Sequence, residues 1–332
     1  ITLEANTFLS GDAPHSVSMW FKSSNLEANV SNSCIFSLNS GEEKLDYVAD
    51  VRTDTYQTSQ KIYGVDTAAG DRFGGGDGES CLAMTGDGSI VVVGAKYDDS
   101  ETGAVYVFMK DANGYWNEVQ KLTASDATAS DRFGAGVDIS SDGNYIAIGA
   151  RLADGTNTQT GQLYIFKKDA GANTWSEQLI ISSPDQSVAN IYFARRVSIS
   201  SDGTYVVAAA QNDTTSASNG GAAYVYKRTG NTWNTTPYKI VTDDVAANDY
   251  IAATVEISSD GNFIALGVMH DDGVSTTDDG SVYMFARTGD NTWTQQQKIN
   301  NPDVSGSSNY FGGETTVFSI SSDGTYIIAV RM

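Results

Sequence analysis

Short apolar runs separated by polar turns recur along most of the chain. Residues 136–140 read Gly-Val-Asp-Ile-Ser, an alternation of apolar and polar side chains that is typical of a half-buried strand. The run at residues 145–150 is almost continuously apolar and predicts a strand that is buried on both faces. Valine, isoleucine, threonine and tyrosine dominate these runs, and helical periodicity is nearly absent. The pattern therefore predicts an all-β protein.

Asp-Gly pairs set the period of an internal repeat of about sixty residues. Because Asp-Gly between apolar runs is a hairpin signal, we expect type I′ turns with positive φ at both residues. Four full copies align, each with four strands, and a fifth copy begins at Gln297. Four-stranded units repeated about an axis predict a β-propeller. The pairs are Asp87-Gly88, Asp142-Gly143, Asp202-Gly203, Asp260-Gly261 and Asp323-Gly324.

Two parts of the chain each predict half of a blade. Tyr56 to Ile62 matches Trp293 to Ile299, so residues 45–62 predict the third and fourth strands of a blade, whereas the fifth copy supplies only a first and a second. We expect the two halves to form one closing blade, which gives five blades and leaves no exposed sheet edge. The alternatives are a larger ring, with further blades beyond Met332, and a head-to-tail polymer of half-blades.

Recurring Phe-Gly and Gly-Ala pairs give this region a family resemblance. Residues 71–74 and 131–134 both read Asp-Arg-Phe-Gly, and Gly-Ala follows at 94–95 and 149–150. These motifs resemble the FG-GAP repeat, which builds the β-propeller head of integrin α chains and of many microbial surface proteins. The resemblance covers residues 45–332 and implies a β-propeller in an extracellular or surface-exposed protein. In the third and fourth copies, Phe193-Ala194 and Ile251-Ala252 replace the Phe-Gly pair.

The calcium loop of that family is absent from this chain. Calcium-binding members carry an Asp-x-Asp-x-Asp-Gly cage in the first hairpin, where residues 141–144 here read Ser-Asp-Gly-Asn. Calcium takes roughly six to eight oxygen ligands, so one carboxylate per hairpin is too few. We expect these aspartates to hydrogen-bond their own turns, and no cofactor is implied.

Acidic loops between the second and third strands are the candidates for a metal site. Their carboxylates could bind a hard cation such as calcium. We favour the interpretation that they are solvated surface charges, because their spacing fits no defined loop. The candidates are Asp98, Asp99, Glu101, Asp271 and Asp272.

The first 44 residues predict a separate segment. His15 to Ser23 and Cys34 to Leu38 resemble the opening strands of a laminin-G or concanavalin-A-like lectin sandwich. Since a whole domain of that type needs roughly 150 residues, we expect a remnant or a cap on the propeller. The predicted division is therefore 1–44 and 45–332. We also expect the chain to be a segment of a longer protein, because it stops inside an apolar run.

The charge and the cysteine content restrict the partners. With 41 acidic and 20 basic residues the net charge is −21, which argues against nucleic acid and against anionic membranes. No apolar stretch approaches the ~20 residues of a membrane span. Cys34 and Cys81 are too few for a disulfide scaffold, and we expect two thiols, with one bridge as the alternative. Glycosylation sequons lie at Asn29, Asn212 and Asn234.

No catalytic constellation is recognisable in the sequence. The two histidines, His15 and His270, lie in different parts of the chain, and no nucleophile, zinc or Walker motif is evident. The glycine-rich residues 74–78 precede a strand rather than a helix, so they lack the helix N-terminus that holds phosphate. Recurring tryptophans predict packing, with a sugar-stacking platform as the alternative. They are Trp116, Trp175, Trp233 and Trp293.

These observations predict that the protein is not an enzyme. We expect a non-enzymatic extracellular adhesion or assembly module, which binds a protein or a glycan at a surface through its propeller loops. One alternative is a structural subunit of an extracellular filament or virion surface, formed as a homo-oligomer. The other is a carbohydrate-binding protein.

Overall fold

The structure is a computed structural model that describes residues 60–75, 81–272, 278–301, 310–313 and 316–331. The predicted segment 1–44 and the first part of the predicted half-blade, residues 45–59, lie outside the described residues. Within the described part the regular structure consists of nineteen strands and one short helical turn, α1 (Asp98–Glu101). The prediction of an all-β protein is confirmed.

Four antiparallel sheets, blades A to D, follow one another along the chain, and a two-stranded sheet E follows them. Blade A contains β1 (Leu82–Met84), β2 (Ile90–Ala95), β3 (Ala104–Lys110) and β4 (Trp116–Leu122). Blade B contains β5 (Phe133–Ile139), β6 (Tyr145–Ala150), β7 (Gln162–Lys168) and β8 (Trp175–Ser182). Blade C contains β9 (Val197–Ile199), β10 (Tyr205–Ala210), β11 (Ala222–Thr229), β12 (Thr232–Trp233) and β13 (Tyr238–Ile240). Blade D contains β14 (Ile251–Ile257), β15 (Phe263–Val268), β16 (Ser281–Gly289) and β17 (Thr292–Asn300). Sheet E contains β18 (Thr316–Ile320) and β19 (Ile327–Arg331).

Each blade is a meander in which consecutive strands are neighbours. In blade C the fourth strand is divided, and both β12 and β13 pair with β11. The second strand lies inside the sheet, which explains its continuous apolar sequence. In β6, Ile146 and Ile148 pack with residues of blade A, whereas Tyr145 and Ala147 pack with residues of blade C. The hydrophobic core therefore consists of layers between successive blades.

The Asp-Gly hairpins are confirmed, but the predicted turn type is wrong. Among the five pairs only the glycines have positive φ, for example 70° at Gly143. The Gly143 N–H donates to the Ser140 carbonyl (2.8 Å), and the Ser140 N–H donates to the Tyr145 carbonyl (2.9 Å). Four residues therefore separate the paired positions, and loops of that length form a type I turn followed by a left-handed residue.

The aspartates bond their own turns, as the sequence predicts. Asp142 Oδ1 accepts hydrogen bonds from the Ser140 hydroxyl (2.6 Å) and from the Asn144 N–H (2.9 Å). Equivalent bonds to Asp323 from Thr325 and Ser321 lower the pKa of that carboxyl to about 2. These carboxylates stabilise their own hairpins, because their oxygens accept hydrogen bonds from the turn.

The recurring tryptophans are buried between blades. The Trp233 ring meets the edge of the Tyr145 ring of the preceding blade, with the centroids 6.0 Å apart, and Trp293 meets Tyr205 in the same way. All four tryptophans are at most 6% exposed. The predicted packing role is confirmed, and a sugar-stacking platform would need exposed faces.

Candidate functional site

The Phe-Gly motifs lie at the junctions between blades. We define a junction as the contact between the loop joining the second and third strands of one blade and the start of the next blade. The Phe133 N–H donates to the Thr102 carbonyl (2.9 Å), and the Phe193 N–H donates to the Thr160 carbonyl (2.9 Å). Ile251 makes the same bond to Gly220 (2.8 Å). The motif therefore joins blades through its backbone.

A residue with a left-handed backbone precedes each of the five equivalent positions Phe73, Phe133, Phe193, Ile251 and Phe311. This conformation costs a non-glycine residue about 1 kcal/mol or more, so five equivalent occurrences indicate a geometry that the junction imposes. The φ values lie between 53° and 59° for Arg72, Arg132, Tyr192, Tyr250 and Tyr310. Each of these side chains contacts a ring or a cation. Arg72 and Tyr250 do so within the blade that they precede, and the other three do so across a junction.

Three cations surround one tyrosine at the junction of blades A and B. The guanidinium carbons of Arg72 and Arg132 lie 5.4 and 4.7 Å from the centroid of the Tyr97 ring, and Lys96 Nζ lies 5.6 Å from it. Arg132 also donates two hydrogen bonds, from Nε and Nη2, to Glu101 Oε2 (2.9 and 2.8 Å). We call Arg72, Lys96 and Arg132 around Tyr97 the cation cluster.

Further basic side chains follow at the next junction. The Arg151 guanidinium carbon lies 5.7 Å from the centroid of the Tyr192 ring, and Arg195 Nη1 donates to Gln211 Oε1 (2.7 Å). Junction residues thus include six of the 20 basic residues of a chain with net charge −21. The six are Arg72, Lys96, Arg132, Arg151, Arg195 and Arg196.

The sequence analysis missed this concentration of positive charge. The basic residues lie about sixty positions apart, and only the stacking of blades brings them together. The signal available was the arginine shared by the motifs at 71–74 and 131–134, which we read as part of a fold motif.

The corresponding position of blade D has a different chemistry. The His270 ring stacks on the Tyr310 ring and meets the Tyr250 ring edge-on, with both centroid distances 5.0 Å. His270 Nδ1 lies 3.7 Å from Asp278 Oδ1. The loop of blade D around His270 therefore carries aromatic and acidic groups where the equivalent loop of blade A carries the cation cluster.

Two carboxylates lie on the first strands of blades B and D. Burial raises the pKa of Asp138 to about 6, against hydrogen bonds donated by the N–H groups of Ile199 and Ile139. Burial also raises the pKa of Glu256 to about 7. The hydrogen bond donated by the Ile320 N–H opposes this rise, and the nearby charge of Asp138 adds to it. Arg196, on the segment between them, favours the charged form of Glu256.

Asp98 and Asp271, two of the metal candidates, are buried and paired with lysine. Each is 4% exposed. Asp98 accepts hydrogen bonds from the Tyr106 hydroxyl (2.6 Å) and from Lys121 Nζ (2.9 Å), and Lys121 Nζ also donates to Asp66 (2.8 Å). The ammonium group therefore lies between two carboxylates, where a bound cation would otherwise lie.

Blade D repeats this arrangement. Asp271 accepts hydrogen bonds from the Tyr283 hydroxyl (2.9 Å) and from Lys298 Nζ (2.9 Å), and Lys298 also contacts Asp244 (2.9 Å). Burial, the nearby Asp271 charge and hydrogen bonds to Asp244 and Asp271 raise the pKa of Tyr283. These phenols therefore remain protonated and act as donors.

The other metal candidates lie apart from these pairs. Asp99 is exposed, Glu101 pairs with Arg132, and Asp272 accepts the Asp278 N–H (3.3 Å). Among the described residues, no group of three or more His, Cys, Asp and Glu side chains is placed to hold a metal ion. The metal assignment stays a prediction.

Other features singled out in the sequence are placed as follows. Cys81 is buried, and its thiol donates to the Ala135 carbonyl (3.3 Å), whereas Cys34 and Asn29 lie outside the described residues. Asn212 is half-buried and Asn234 is exposed. No helix in the described ranges is long and apolar enough to cross a membrane.

Repeated four-stranded meanders that bury their faces against one another define a β-propeller. The FG-GAP repeat model matches residues 56–108, 116–166 and 175–226. The resemblance drawn from the Phe-Gly motifs is thus confirmed for these residues, which match the FG-GAP repeat family. No curated protein sequence matches the chain.

The solved structures that are similar to the chain include the following three. The periplasmic gluconolactonase of Pseudomonas aeruginosa is 15% identical, with a TM-score of 0.48 and coverage of 75% of this chain and 64% of that one. The hydrazine synthase of Kuenenia stuttgartiensis is 16% identical, with a TM-score of 0.46 and coverage of 75% and 60%. A Lactobacillus plantarum protein is 16% identical, with a TM-score of 0.47 and coverage of 75% and 63%. The chain spans about three fifths of the length of each.

The prediction of a non-enzymatic extracellular adhesion or assembly module is wrong on these comparisons. The similar structures include an enzyme, the gluconolactonase, and none of the three is described as an adhesion protein. The filament and carbohydrate-binding alternatives gain no support either. At 15–16% identity these likenesses concern the fold, so the function has to be argued from the side chains.

Proposed function

We propose that the protein binds an anionic ligand at the cation cluster. The ligand class is a small molecule or chain terminus that carries a carboxylate, phosphate or sulfate group. The observation that carries the proposal is the convergence of Arg72 and Arg132 on the Tyr97 ring, with their guanidinium carbons 5.4 and 4.7 Å from its centroid and the fully buried Lys96 adding its charge from behind.

The stacking prepares both arginines for recognition of an anion. A guanidinium group that lies over an aromatic face keeps its N–H groups in a fixed plane, so less side-chain entropy is lost when a ligand binds. The planar fork then matches two oxygens of a carboxylate or phosphate. Since Glu101 engages one edge of Arg132, that side chain is held in place.

Because the rest of the protein is acidic, the site should bind only an anion that contacts the cation cluster directly. A net charge of −21 repels anions at long range, so an anion is held only where cations converge. Arginine and lysine side chains keep their protons at neutral pH, so they attract an anion by their charge and are poorly suited to proton transfer. We therefore propose binding without catalysis, and an extracellular or surface-exposed location in keeping with the acidic composition.

Calorimetric titration with inorganic phosphate, sulfate and citrate tests the proposal. We expect saturable binding of at least one anion, weakened at least tenfold by Arg72→Gln and by Arg132→Gln. Arg132→Lys keeps the charge but loses the fork, and should give an intermediate affinity. Arg228→Gln is the matched control, because Arg228 also stacks on a tyrosine (4.4 Å from the centroid of the Tyr145 ring) but lies at an Asp-Gly turn. Equal binding by all these variants would contradict the proposal.

A further inference from the structure

The loop between β2 and β3 of blade A is shorter than the equivalent loops of blades B and C. It consists of the eight residues 96–103, whereas the other two have eleven each, 151–161 and 211–221. Its far end still makes the junction bond of the longer loops, because the Glu101 carbonyl accepts the Arg132 N–H (2.8 Å). Eight residues therefore cover a path for which the other two blades use eleven.

The short loop achieves this with a left-handed turn. Asp99, Ser100 and Glu101 have φ values of 54°, 66° and 64°. In each of the loops of blades B and C only one non-glycine residue, at the position of Glu101, is left-handed. The conformation is unfavourable for a residue with a Cβ, so such a run persists only where surrounding contacts hold it. Asp99 and Ser100 therefore carry strain that the longer loops avoid.

Side chains at the two ends of the turn hold it in place. Asp98 is bonded to the Tyr106 hydroxyl (2.6 Å) and to Lys121 Nζ (2.9 Å), and its side chain is 6% exposed. At the other end, Glu101 Oε2 accepts hydrogen bonds from Arg132 Nε (2.9 Å) and Nη2 (2.8 Å), and the Glu101 side chain is 43% exposed. Since Glu101 is already partly hydrated, it is the end of the turn that can be released at the smaller cost of breaking a buried contact.

The bond pattern between Glu101 and Arg132 is a poor match to the guanidinium group. Both N–H groups on this edge of Arg132 converge on one oxygen of Glu101. Two parallel bonds to two separate oxygens are the stronger arrangement. A carboxylate or phosphate that is not attached to the loop can place one oxygen on each N–H. An anion that approached Arg132 with Glu101 still in place would also face a like charge. This edge therefore suits a free anion better than it suits Glu101.

We propose that Glu101 is an internal competitor of the ligand at the cation cluster, and that the strain at Asp99 and Ser100 favours its release when an anion binds. The inference rests on the anion site proposed above. In the free protein, Glu101 covers one edge of Arg132 while the guanidinium group lies over the Tyr97 ring. The ligand takes that edge with two oxygens, and the turn relaxes as it loses one of the contacts that hold it. The apparent affinity is thereby lower than the intrinsic affinity of the uncovered site.

Calorimetric titration of matched variants with citrate tests the proposal. Glu101→Gln removes the competing charge and should bind citrate about fivefold more tightly than the unmodified protein. Ser100→Gly accepts the left-handed backbone without steric cost, so it stabilises the covered state and should bind citrate about threefold more weakly. Ser100→Asn, which tolerates this backbone without the flexibility of glycine, should change the affinity in the same direction.

Two further variants serve as controls. Asp99→Asn removes an exposed carboxylate from the same turn, and Gln159→Gly relieves the left-handed residue of the equivalent loop in blade B. Both should bind citrate as the unmodified protein does. An equal gain in Asp99→Asn and Glu101→Gln, or equal affinities of Glu101→Gln and the unmodified protein, would overturn the inference and leave the anion site standing. If neither protein binds citrate, phosphate or sulfate, the anion site is wrong and the inference fails with it.

Hydrogen exchange followed by NMR on the unmodified protein measures the movement of the turn directly. The N–H groups of Glu101 and Thr102 donate to the carbonyls of Tyr97 and Asp99 (3.3 and 3.4 Å). Saturating citrate should speed the exchange of these two amides, because release of Glu101 loosens the turn. Binding without release would slow their exchange or leave it unchanged, and either result would overturn the inference.

Discussion

Ile199 and Asp138 lie on the first strands of neighbouring blades, and the amide N–H of Ile199 donates to Asp138 Oδ2 at 2.8 Å. The next blade repeats this link through the Ser198 hydroxyl, which accepts the Ile257 N–H (3.2 Å). Glu256 then accepts the Ile320 N–H (2.9 Å). In each of blades B, C and D, one side chain of the first strand therefore ties that strand to the first strand of the next sheet.

The raised pKa values in this series predict an unusual pH dependence of stability. The pKa of Glu256 is about 7 and that of Asp138 about 6 in the folded protein, above the values near 4 of unfolded carboxyls. Between pH ~4 and ~7 the folded state therefore binds more protons than the unfolded state. The free energy of unfolding should fall as the pH rises through this window, and stay lower above it.

We expect Glu256→Gln to raise the free energy of unfolding by about 1–2 kcal/mol at pH 8 and to change it little at pH 5, since the amide carries no charge to bury. Urea denaturation of both proteins between pH 5 and 8 measures the difference. Tyr226→Phe is the control, because burial keeps the Tyr226 phenol protonated throughout this range, so its removal should shift stability equally at every pH. A pH-independent effect of Glu256→Gln would refute this account.

Tyr226 is the residue at which a substitution should stabilise the protein. Its ring is fully buried, and its hydroxyl has no hydrogen-bond partner among the described residues. Phenylalanine stands at the equivalent positions 108, 166 and 285 of the other blades. A buried hydroxyl without a partner costs roughly 1–3 kcal/mol, so Tyr226→Phe should increase the free energy of unfolding by about 1 kcal/mol.

Thermal denaturation should show this as a rise in Tm of a few degrees. The matched control is Tyr224→Phe, two residues away on β11, because the Tyr224 hydroxyl is hydrogen-bonded to the buried Asp213. That substitution should lower the Tm, since it leaves a buried carboxylate with one donor fewer. If both substitutions change the Tm in the same direction, the hydroxyl of Tyr226 has a partner in solution.

The fold could be predicted from the sequence because the apolar pattern repeats with every blade. A strand such as residues 145–150 is recognised by its local pattern of apolar and polar residues, and that pattern recurs in each copy of the repeat. The turn type was missed because the number of residues between Ser140 and Tyr145, rather than the Asp-Gly pair itself, selects the turn.

The candidate site could not be predicted in the same way. Arg72 and Arg132 share the Tyr97 ring only after two blades pack, and each looks unremarkable within its own repeat. Asp138 reads as the polar member of an alternating strand, since only the neighbouring blade buries it. The sequence of a single repeat does not show which side chains its neighbouring blades will contact.

Lys121 allows the metal prediction to be tested directly. Its ammonium group lies between Asp66 and Asp98, and hydrogen bonds to both carboxylates raise the pKa of Lys121 despite its partial burial. Lys121→Met should leave Asp98 buried without its counter-charge and lower the free energy of unfolding by about 2 kcal/mol at pH 7. Lys167→Met is the control and should cost less than about 0.5 kcal/mol, because the Lys167 ammonium group donates to the uncharged Asn231 and lies 6.0 Å from the centroid of the Tyr145 ring.

The same variant should acquire a response to calcium. Without the ammonium group, two carboxylates and a phenol face one another, and a divalent cation can replace the lost charge. Calcium at millimolar concentration should therefore raise the Tm of Lys121→Met and leave that of the unmodified protein unchanged in calcium or in EDTA. A rise in the Tm of the unmodified protein would instead mean that calcium binds despite the lysine, at Asp99, Asp272 or another site of exposed carboxylates.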